Sequence, residues 1–249
     1  MLRTLLICGL LAGLCGGALG TGFAKVAGEP PLDRAIAWES AHARAAGEAP
    51  HAEVVSRTVQ GSIGLAVGAC VYGVSLGGLF ALVFAGVYGR VSRAGPARTA
   101  LGLGAIAFVV LYLVPFLKYP PNPPSVGDPA TIGDRTALYF GMLAISVLAA
   151  IAALRLRVQA LDRLGPDRAT PAAIGAFVLV VVAAGLVMPG VNEVPATFPA
   201  TTLWDFRIAS AGVQLVMWAT ISLVFGAAAR RAIERARVGS SQAAPARAA

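Results

Sequence analysis

Six stretches of this 249-residue chain contain no Asp, Glu, Lys, Arg or His, and each is long enough to cross a lipid bilayer. A helix spans the hydrocarbon core in about 20 residues. Lipid offers no hydrogen-bond partner to an open backbone, so apolar runs of this length fold as helices. Hydrophobic residues make up 57% of the chain and charged residues only 13%, which excludes an ordinary soluble domain. The runs are residues 4–24, 58–89, 99–117, 136–154, 169–192 and 208–229.

The sequence therefore predicts an all-α integral membrane bundle of six transmembrane helices. One transmembrane domain covers residues 1–238, with an outer loop at 25–57 that favours helix as far as Gly47, and residues 239–249 form a low-complexity, disordered tail. Residues 155–164 are expected to prolong the fourth helix. The alternative for the first run is a cleaved signal peptide, which would leave five helices.

Glycines at four-residue intervals mark the first two runs. Small residues at this spacing form ridges that let helix backbones approach closely, so these two helices are expected to pack together. The ridges are Gly9, Gly13 and Gly17 in the first run, and Gly64 with Gly68 and Gly73 with Gly77 in the second.

The net charge of +8 is divided unequally between the two sides of the predicted bundle. The side that carries the N-terminus has thirteen basic and three acidic residues, and the other side has seven basic and nine acidic residues. Basic residues collect in cytoplasmic loops, so both termini are expected inside. The basic excess thus reflects topology beside an anionic bilayer and does not indicate nucleic-acid binding.

A proline-rich segment, residues 118–129, joins the third and fourth runs with the sequence KYPPNPPSVGDP. Its five prolines remove backbone donors and fix φ, so it forms a stiff loop on the outer side. Asn122 and Asp128, with Asp134 just beyond the loop, offer oxygen ligands to a metal ion. The alternative is a rigid connector that fixes the angle between two helices.

Two polar stripes begin at this outer side. We hypothesise that they line a vestibule under the loop, because a polar stripe in lipid prefers to face the bundle interior. The alternative is that the arginines snorkel to the interface and that the tyrosine belongs to the aromatic belt. The stripes are Arg135, Tyr139, Met142 and Ser146 on the fourth run, and Arg207, Ser210 and Gln214 on the sixth, beside Asp205.

Both histidines, His42 and His51, lie in the first outer segment among glutamates. Imidazole and carboxylate suit a borderline divalent cation, and Glu39 shares a helix face with His42. The alternative is a solvated loop with scattered charges. The three cysteines, Cys8, Cys15 and Cys70, fall inside apolar runs and indicate neither a disulfide framework nor a zinc cluster.

The sequence does not indicate an enzyme. Residues 73–77 match the G-x-S-x-G pattern of hydrolases, but that motif needs a strand, a turn and a nearby histidine. Here it lies in an apolar helix, so Ser75 is interpreted as a packing residue. No cofactor motif is present in the sequence.

Several segments together resemble the CbtA family of predicted cobalt transporter subunits. The resemblance runs nearly end to end, and its most specific part is the proline-rich loop. The similar residues are 115–124, 126–129, 135–139, 86–90 and 203–207, with Arg57, Gln60, Gly64 and Leu65.

The resemblance implies a bacterial inner-membrane protein that handles Co²⁺ and works with CbtB, a small single-span partner subunit. The expected function is the membrane subunit of a divalent metal importer. The resemblance assigns no ligand residues; from their side-chain chemistry alone, the expected metal-binding residues are His42, His51, Asn122, Asp128 and Asp134. The rival function is a membrane scaffold that moves no ion and stabilises a partner.

Overall fold

The structure is a computed structural model that describes residues 1–47 and 55–242. These residues form helices and connecting loops without a β-sheet. The α-helices are α1 Leu2–Phe23, α2 Glu29–Ala45, α3 Arg57–Val59, α4 Leu65–Val87, α5 Pro96–Ala107, α6 Val114–Lys118, α7 Ile132–Leu164, α8 Pro166–Val187 and α9 Ala200–Gln242.

Several of these helices join end to end, so the described residues contain six continuous helices long and apolar enough to cross a membrane. The prediction of an all-α membrane bundle with six spans is confirmed. The fourth helix continues to Leu164, as expected, and ends at Gly165, whose φ of 69° suits glycine. Residues 243–249 of the predicted tail lie outside the described residues, and α9 runs to Gln242.

The fifth span is shorter than its uncharged run. The sequence predicted a helix as far as Asn192, but α8 ends at Val187. Pro189 disfavours the helical conformation of the residue before it, and Gly190 follows directly. This part of the prediction was wrong, and the difference creates a longer segment between α8 and α9, residues 188–199, that contains three prolines and is called the α8–α9 segment below.

Three π-helical segments join the helices: Ala24–Gly28, Gln60–Gly64 and Phe108–Leu113. The first precedes Pro30 and the third precedes Pro115, so each lies where a proline removes a backbone donor. Because a π-turn shifts the hydrogen-bond register by one residue, the helix passes these points without a break. The first span is therefore continuous with α2.

By its internal contacts the chain forms two units, which are described separately. The described part of the first unit comprises residues 1–27, 55–106 and 212–242. The second comprises residues 28–47 and 107–211.

The glycine ridges hold α1 against α4 in the first unit. A Cβ added to Gly9, Gly13 or Gly17 would overlap the carbonyl oxygen of Gly77, Gly73 or Ala69, respectively. The pairs run in opposite directions along the two helices, which are antiparallel. The predicted packing is confirmed for Gly73 and Gly77, whereas Gly64 and Gly68 meet no atom of α1 within 4 Å in the described structure.

A second face of α1 packs against α9. Gly16 lies against Met217 and Ile221, and Gly20 lies against Met217 and Val213. The fully buried Phe225 adds an edge-to-face contact with Phe84 of α4 at 4.9 Å between ring centroids.

In the second unit, α7 packs along α8 and along the segment that ends in α6. Val114, Tyr119 and Met142 form a buried apolar cluster, covered by side chains of α8 that include Phe177 and Val181. In the π-helical register, the Val114 N–H donates to the carbonyl of Val109. Pro115 has no N–H that could donate to the next carbonyl, that of Val110. The neighbouring Val110 carbonyl accepts a 2.8 Å hydrogen bond from the Ser146 hydroxyl instead.

Candidate functional site

The proline-rich loop contacts the α8–α9 segment near both of its ends. At its start, the Tyr119 hydroxyl donates to the carbonyl of Pro189 at 2.8 Å. Further along, Val126 is buried in an apolar cluster with Ala35 of α2 and Phe198. The loop therefore rests on tertiary contacts rather than on its prolines alone.

Arg207 of α9 holds the first half of the loop. Its Nη2 donates to Asn122 Oδ1 at 2.8 Å, and its Nε lies 3.4 Å from the carbonyl of Pro121. Because the amide oxygen of Asn122 takes this charged donor, it is engaged in holding the loop in this conformation.

Glu193, which the sequence analysis did not select, holds the second half. One carboxylate oxygen accepts the Asp128 N–H at 2.7 Å, and the other accepts the Thr131 hydroxyl at 2.7 Å. Arg135 forms an ion pair with the same carboxylate at 3.3 Å and donates to the carbonyl of Asp128 at 2.9 Å. The Arg135–Glu193 pair joins α7, the proline-rich loop and the α8–α9 segment.

This set of contacts favours the charged form of Glu193. The hydrogen bonds from the Asp128 N–H and the Thr131 hydroxyl, and the charge of Arg135, lower the pKa of Glu193 below its ordinary value. Burial acts the other way on Tyr119, and raises the pKa of its phenol. The folded loop therefore favours the ionised carboxylate of Glu193.

The turn between the two halves of the loop is strained. Ser125 has a φ of 69°, a conformation that residues other than glycine rarely adopt, and Gly127 has a φ of 120°. A Cβ on Gly127 would overlap the guanidinium of Arg135. Ser125 Oγ is buried and has no hydrogen-bond partner among the described residues. Such strain persists only where surrounding contacts hold it in place.

The predicted metal-binding residues are distributed along this region. Asp128 Oδ1 caps the short helix Pro129–Thr131 by accepting the Ala130 N–H at 2.8 Å, and Asp134 is exposed on α7. His51 lies outside the described residues. Within residues 1–47 and 55–242, no three His, Cys, Asp or Glu side chains come together as a metal-binding group.

His42 lies on an aromatic platform at the exposed side of α2. Its ring stacks on Trp38 at 3.7 Å between centroids, and Trp38 meets Phe198 edge to face. The ring Nδ1 is 3.1 Å from the Trp38 carbonyl and Nε2 is 3.4 Å from the Thr197 hydroxyl. The imidazole is exposed, so it is open to a ligand from solvent.

The two polar stripes have different neighbours. On α7, Tyr139 packs against the buried cluster around Met142, and Ser146 is fully buried. On α9, Asp205 forms a 2.6 Å ion pair with Arg34 of α2, and Ser210 bonds to its own helix.

The last residue of the α9 stripe, Gln214, belongs to the first unit. There its side chain hydrogen-bonds to Tyr72 of α4, while its Oε1 is buried without a partner among the described residues. The sequence analysis missed Tyr72 because a single tyrosine in an apolar run carries no periodic signal. Glu193 was missed because the uncharged run that ends just before it, residues 169–192, was assigned wholly to a helix, although Pro189 and Gly190 indicated a loop.

Comparison with known proteins gives one match. A family model described as "Probable cobalt transporter subunit (CbtA)" matches residues 2–230, from α1 through most of α9. No curated protein and no solved structure matches the chain. In the described structure, the match includes five of the six helices that are apolar enough to span a membrane and most of the sixth, so the protein is a multi-pass membrane protein. The chain belongs to the CbtA family of probable cobalt transporter subunits.

Proposed function

We propose that this chain is the permease-like subunit of a Co²⁺ importer in the bacterial inner membrane, with both termini in the cytoplasm. It works with a small single-span partner subunit of the CbtB type. The family description, a cobalt transporter subunit, supports both the ion and the need for a partner. The unequal distribution of basic residues supports the orientation.

The observation that carries this proposal is the clamped proline-rich loop. The most family-specific segment of the sequence is also the segment that Arg207, Arg135 and Glu193 bind from three different elements. Irregular backbone at a membrane face is tolerated where it caps or lines something. A loop of this kind is suited to cover the outer mouth of an ion route.

We further propose that exposed ligands near this loop collect the cation. His42 presents an accessible imidazole, and Asp128 and Asp134 present exposed carboxylates. His51 and Asn122 complete the proposed set. These groups are the nitrogen and oxygen ligands that a borderline divalent cation accepts, and their exposure suits rapid exchange.

Below the loop, the proposed route uses the polar stripes, Arg135, Tyr139 and Ser146 in one, and Asp205, Arg207 and Gln214 in the other. The two arginines set the position of the loop, and the neutral side chains offer weak ligands that do not trap the ion. Separate Tyr139→Phe and Gln214→Leu variants test this role. If both move Co²⁺ at the wild-type rate, the stripes are not part of the route.

The main experiment measures Co²⁺ accumulation in cells that carry this chain alone, the partner alone, or both. The importer proposal expects accumulation only with both subunits. The alternative is a scaffold that stabilises its partner, and it draws support from the fact that Arg135, Arg207 and Glu193 make contacts within this chain that hold the proline-rich loop. Accumulation by the partner alone would support the scaffold and overturn the importer.

The orientation is tested with a reporter fused near residue 125. A reporter active only outside the cytoplasm is expected. Activity in the cytosol would reverse the topology and remove the outer-mouth role of the proline-rich loop.

A further inference from the structure

The hydroxyl of Tyr112 is buried in the second unit and has no hydrogen-bond partner in the part of the chain that the structure describes. Tyr112 lies in the π-helical segment Phe108–Leu113, within the third span. No water competes for a polar group in this setting, so an unpaired hydroxyl is unfavourable. Native proteins pair nearly all such groups, and an exception calls for a physical reason.

The neighbouring polar groups of the same region are satisfied. Ser146 donates to the Val110 carbonyl, and Tyr119 donates to the Pro189 carbonyl. Val110 lies two residues before Tyr112 in the same π-helical segment, so this segment bonds to α7 right beside the unpaired hydroxyl. The lack of a partner at Tyr112 is therefore local, and does not reflect loose packing of the segment.

The ring of Tyr112 is fixed by its neighbours. It packs between Phe108 and Phe116, with centroid distances of 5.8 and 5.4 Å. Tyr139 of α7 lies close enough to interact electrostatically with Tyr112. Both phenols belong to helical runs that contain no charged side chain.

We propose that Tyr112 is a positioning residue for the transported divalent cation, and that its hydroxyl bonds to the hydration shell of the ion as it passes the third span. This inference rests on the proposed transport function. Neutral hydroxyls can both donate to and accept from metal-bound water. They hold the ion weakly, as conduction requires. π-helical turns inside spans frequently lie at functional positions.

The test compares the Tyr112→Phe variant with the wild type. Both are expressed as full chains together with the partner subunit. The variant removes only the oxygen and leaves the aromatic contacts with Phe108 and Phe116 in place. We expect the initial rate of Co²⁺ flux to fall roughly tenfold, the loss of about one hydrogen bond to the passing ion. The melting temperature is expected to stay unchanged or to rise, because a buried unpaired hydroxyl has been removed.

Tyr88→Phe is the matched control. Tyr88 stacks on Phe84 in the first unit and is not part of the proposed route, so this variant should keep the wild-type flux. Wild-type flux in Tyr112→Phe overturns the inference. A fall in flux with a matching fall in melting temperature also overturns it, because the hydroxyl then has a structural partner.

A second measurement separates this inference from the transport proposal. Co²⁺ added to the purified wild-type chain should raise its melting temperature, and Tyr112→Phe should reduce that rise. If the wild-type pair moves no Co²⁺ in either direction, the transport proposal fails. The role of Tyr112 is then tested only by the rise in melting temperature that Co²⁺ causes. An equal rise in the wild type and in Tyr112→Phe refutes it.

Discussion

Each of the two units of this chain has its own kind of stabilising contact, and the two kinds are opposite. In the first unit, α1 meets α4 through glycines, and the contact exists because side chains are absent. In the second, the proline-rich loop is held by the side chains of Arg135, Glu193 and Arg207. The backbone contact between α1 and α4 leaves no space for one added carbon atom. The polar contacts of the loop, by contrast, can be removed one at a time. We therefore expect all-or-none effects of substitution in the first unit and graded effects in the second.

The largest effect is expected at Gly73. In Gly73→Ala, the new Cβ would overlap the Gly13 carbonyl, and backbone cannot rotate away as a side chain can. We predict a destabilisation of about 3 kcal/mol or more. The measurement is the melting temperature of the purified protein in detergent, together with its yield from membranes.

Gly68→Ala is the control for this substitution. Both glycines lie on α4, but a Cβ at Gly68 meets no described atom within 4 Å outside the nearby helix backbone. Alanine favours helix over glycine by up to about 1 kcal/mol, so this variant should equal or exceed the wild type in stability. Equal melting temperatures for the two variants would contradict the antiparallel glycine contact.

A smaller effect is expected at Glu193. Glu193→Ala removes two hydrogen bonds and one ion pair from the proline-rich loop, so the melting temperature should fall by several degrees. The control is Glu234→Ala, which breaks an exposed pair with Arg230 at 3.9 Å on α9. Exposed pairs contribute little, so this control should stay within about 1 °C of the wild type. Similar losses in both variants would show that the loop is not held by Glu193.

The sequence predicted much of the first unit and less of the second, for a physical reason. A glycine ridge is periodic, so Gly9, Gly13 and Gly17 can be recognised from their spacing before their partners are known. The same spacing also occurs at Gly64 and Gly68, which do not contact α1, so periodicity indicates a possible contact surface but not which surface is used.

The contacts of the loop carry no such spacing. Glu193 accepts a hydrogen bond from the backbone N–H of Asp128, which lies 65 residues away in the sequence. Arg207 lies 85 residues from Asn122. The sequence analysis selected Arg207, Asn122 and Arg135 as groups of one outer region. It could not pair them, because the pairing depends on how α7 and α9 approach the loop.

Acid should weaken the loop through the same carboxylate. The Asp128 N–H, the Thr131 hydroxyl and Arg135 lower the pKa of Glu193, so its ionised form is favoured in the folded state. The stabilisation is complete above the ordinary glutamate pKa of about 4.3, and is lost as the pH falls through the lower folded value. Between about pH 6 and pH 3, the melting temperature of the wild type should therefore fall more steeply with decreasing pH than that of Glu193→Gln. If the melting temperatures of the two proteins fall in parallel, the loss of stability in acid is due to groups other than Glu193.

Asp205 is expected to contribute little to stability, although its 2.6 Å ion pair with Arg34 is the shortest of the three discussed here. Both side chains are about half exposed, at 48% for Arg34 and 50% for Asp205, so water and salt screen the pair. Asp205→Asn and Arg34→Gln should each change the stability by no more than about 1 kcal/mol.

The same two variants separate a structural pair from a cation-attracting group, because they act on the carboxylate in opposite ways. Asp205→Asn removes the negative charge, whereas Arg34→Gln leaves it without its cationic neighbour. If Asp205 attracts Co²⁺ at the outer mouth, the first variant should raise the Co²⁺ concentration needed for half-maximal uptake and the second should lower it. The difference should shrink at high ionic strength, since the attraction is exposed to solvent. Shifts in the same direction would mean that Asp205 serves only to hold α2 beside α9 within the second unit.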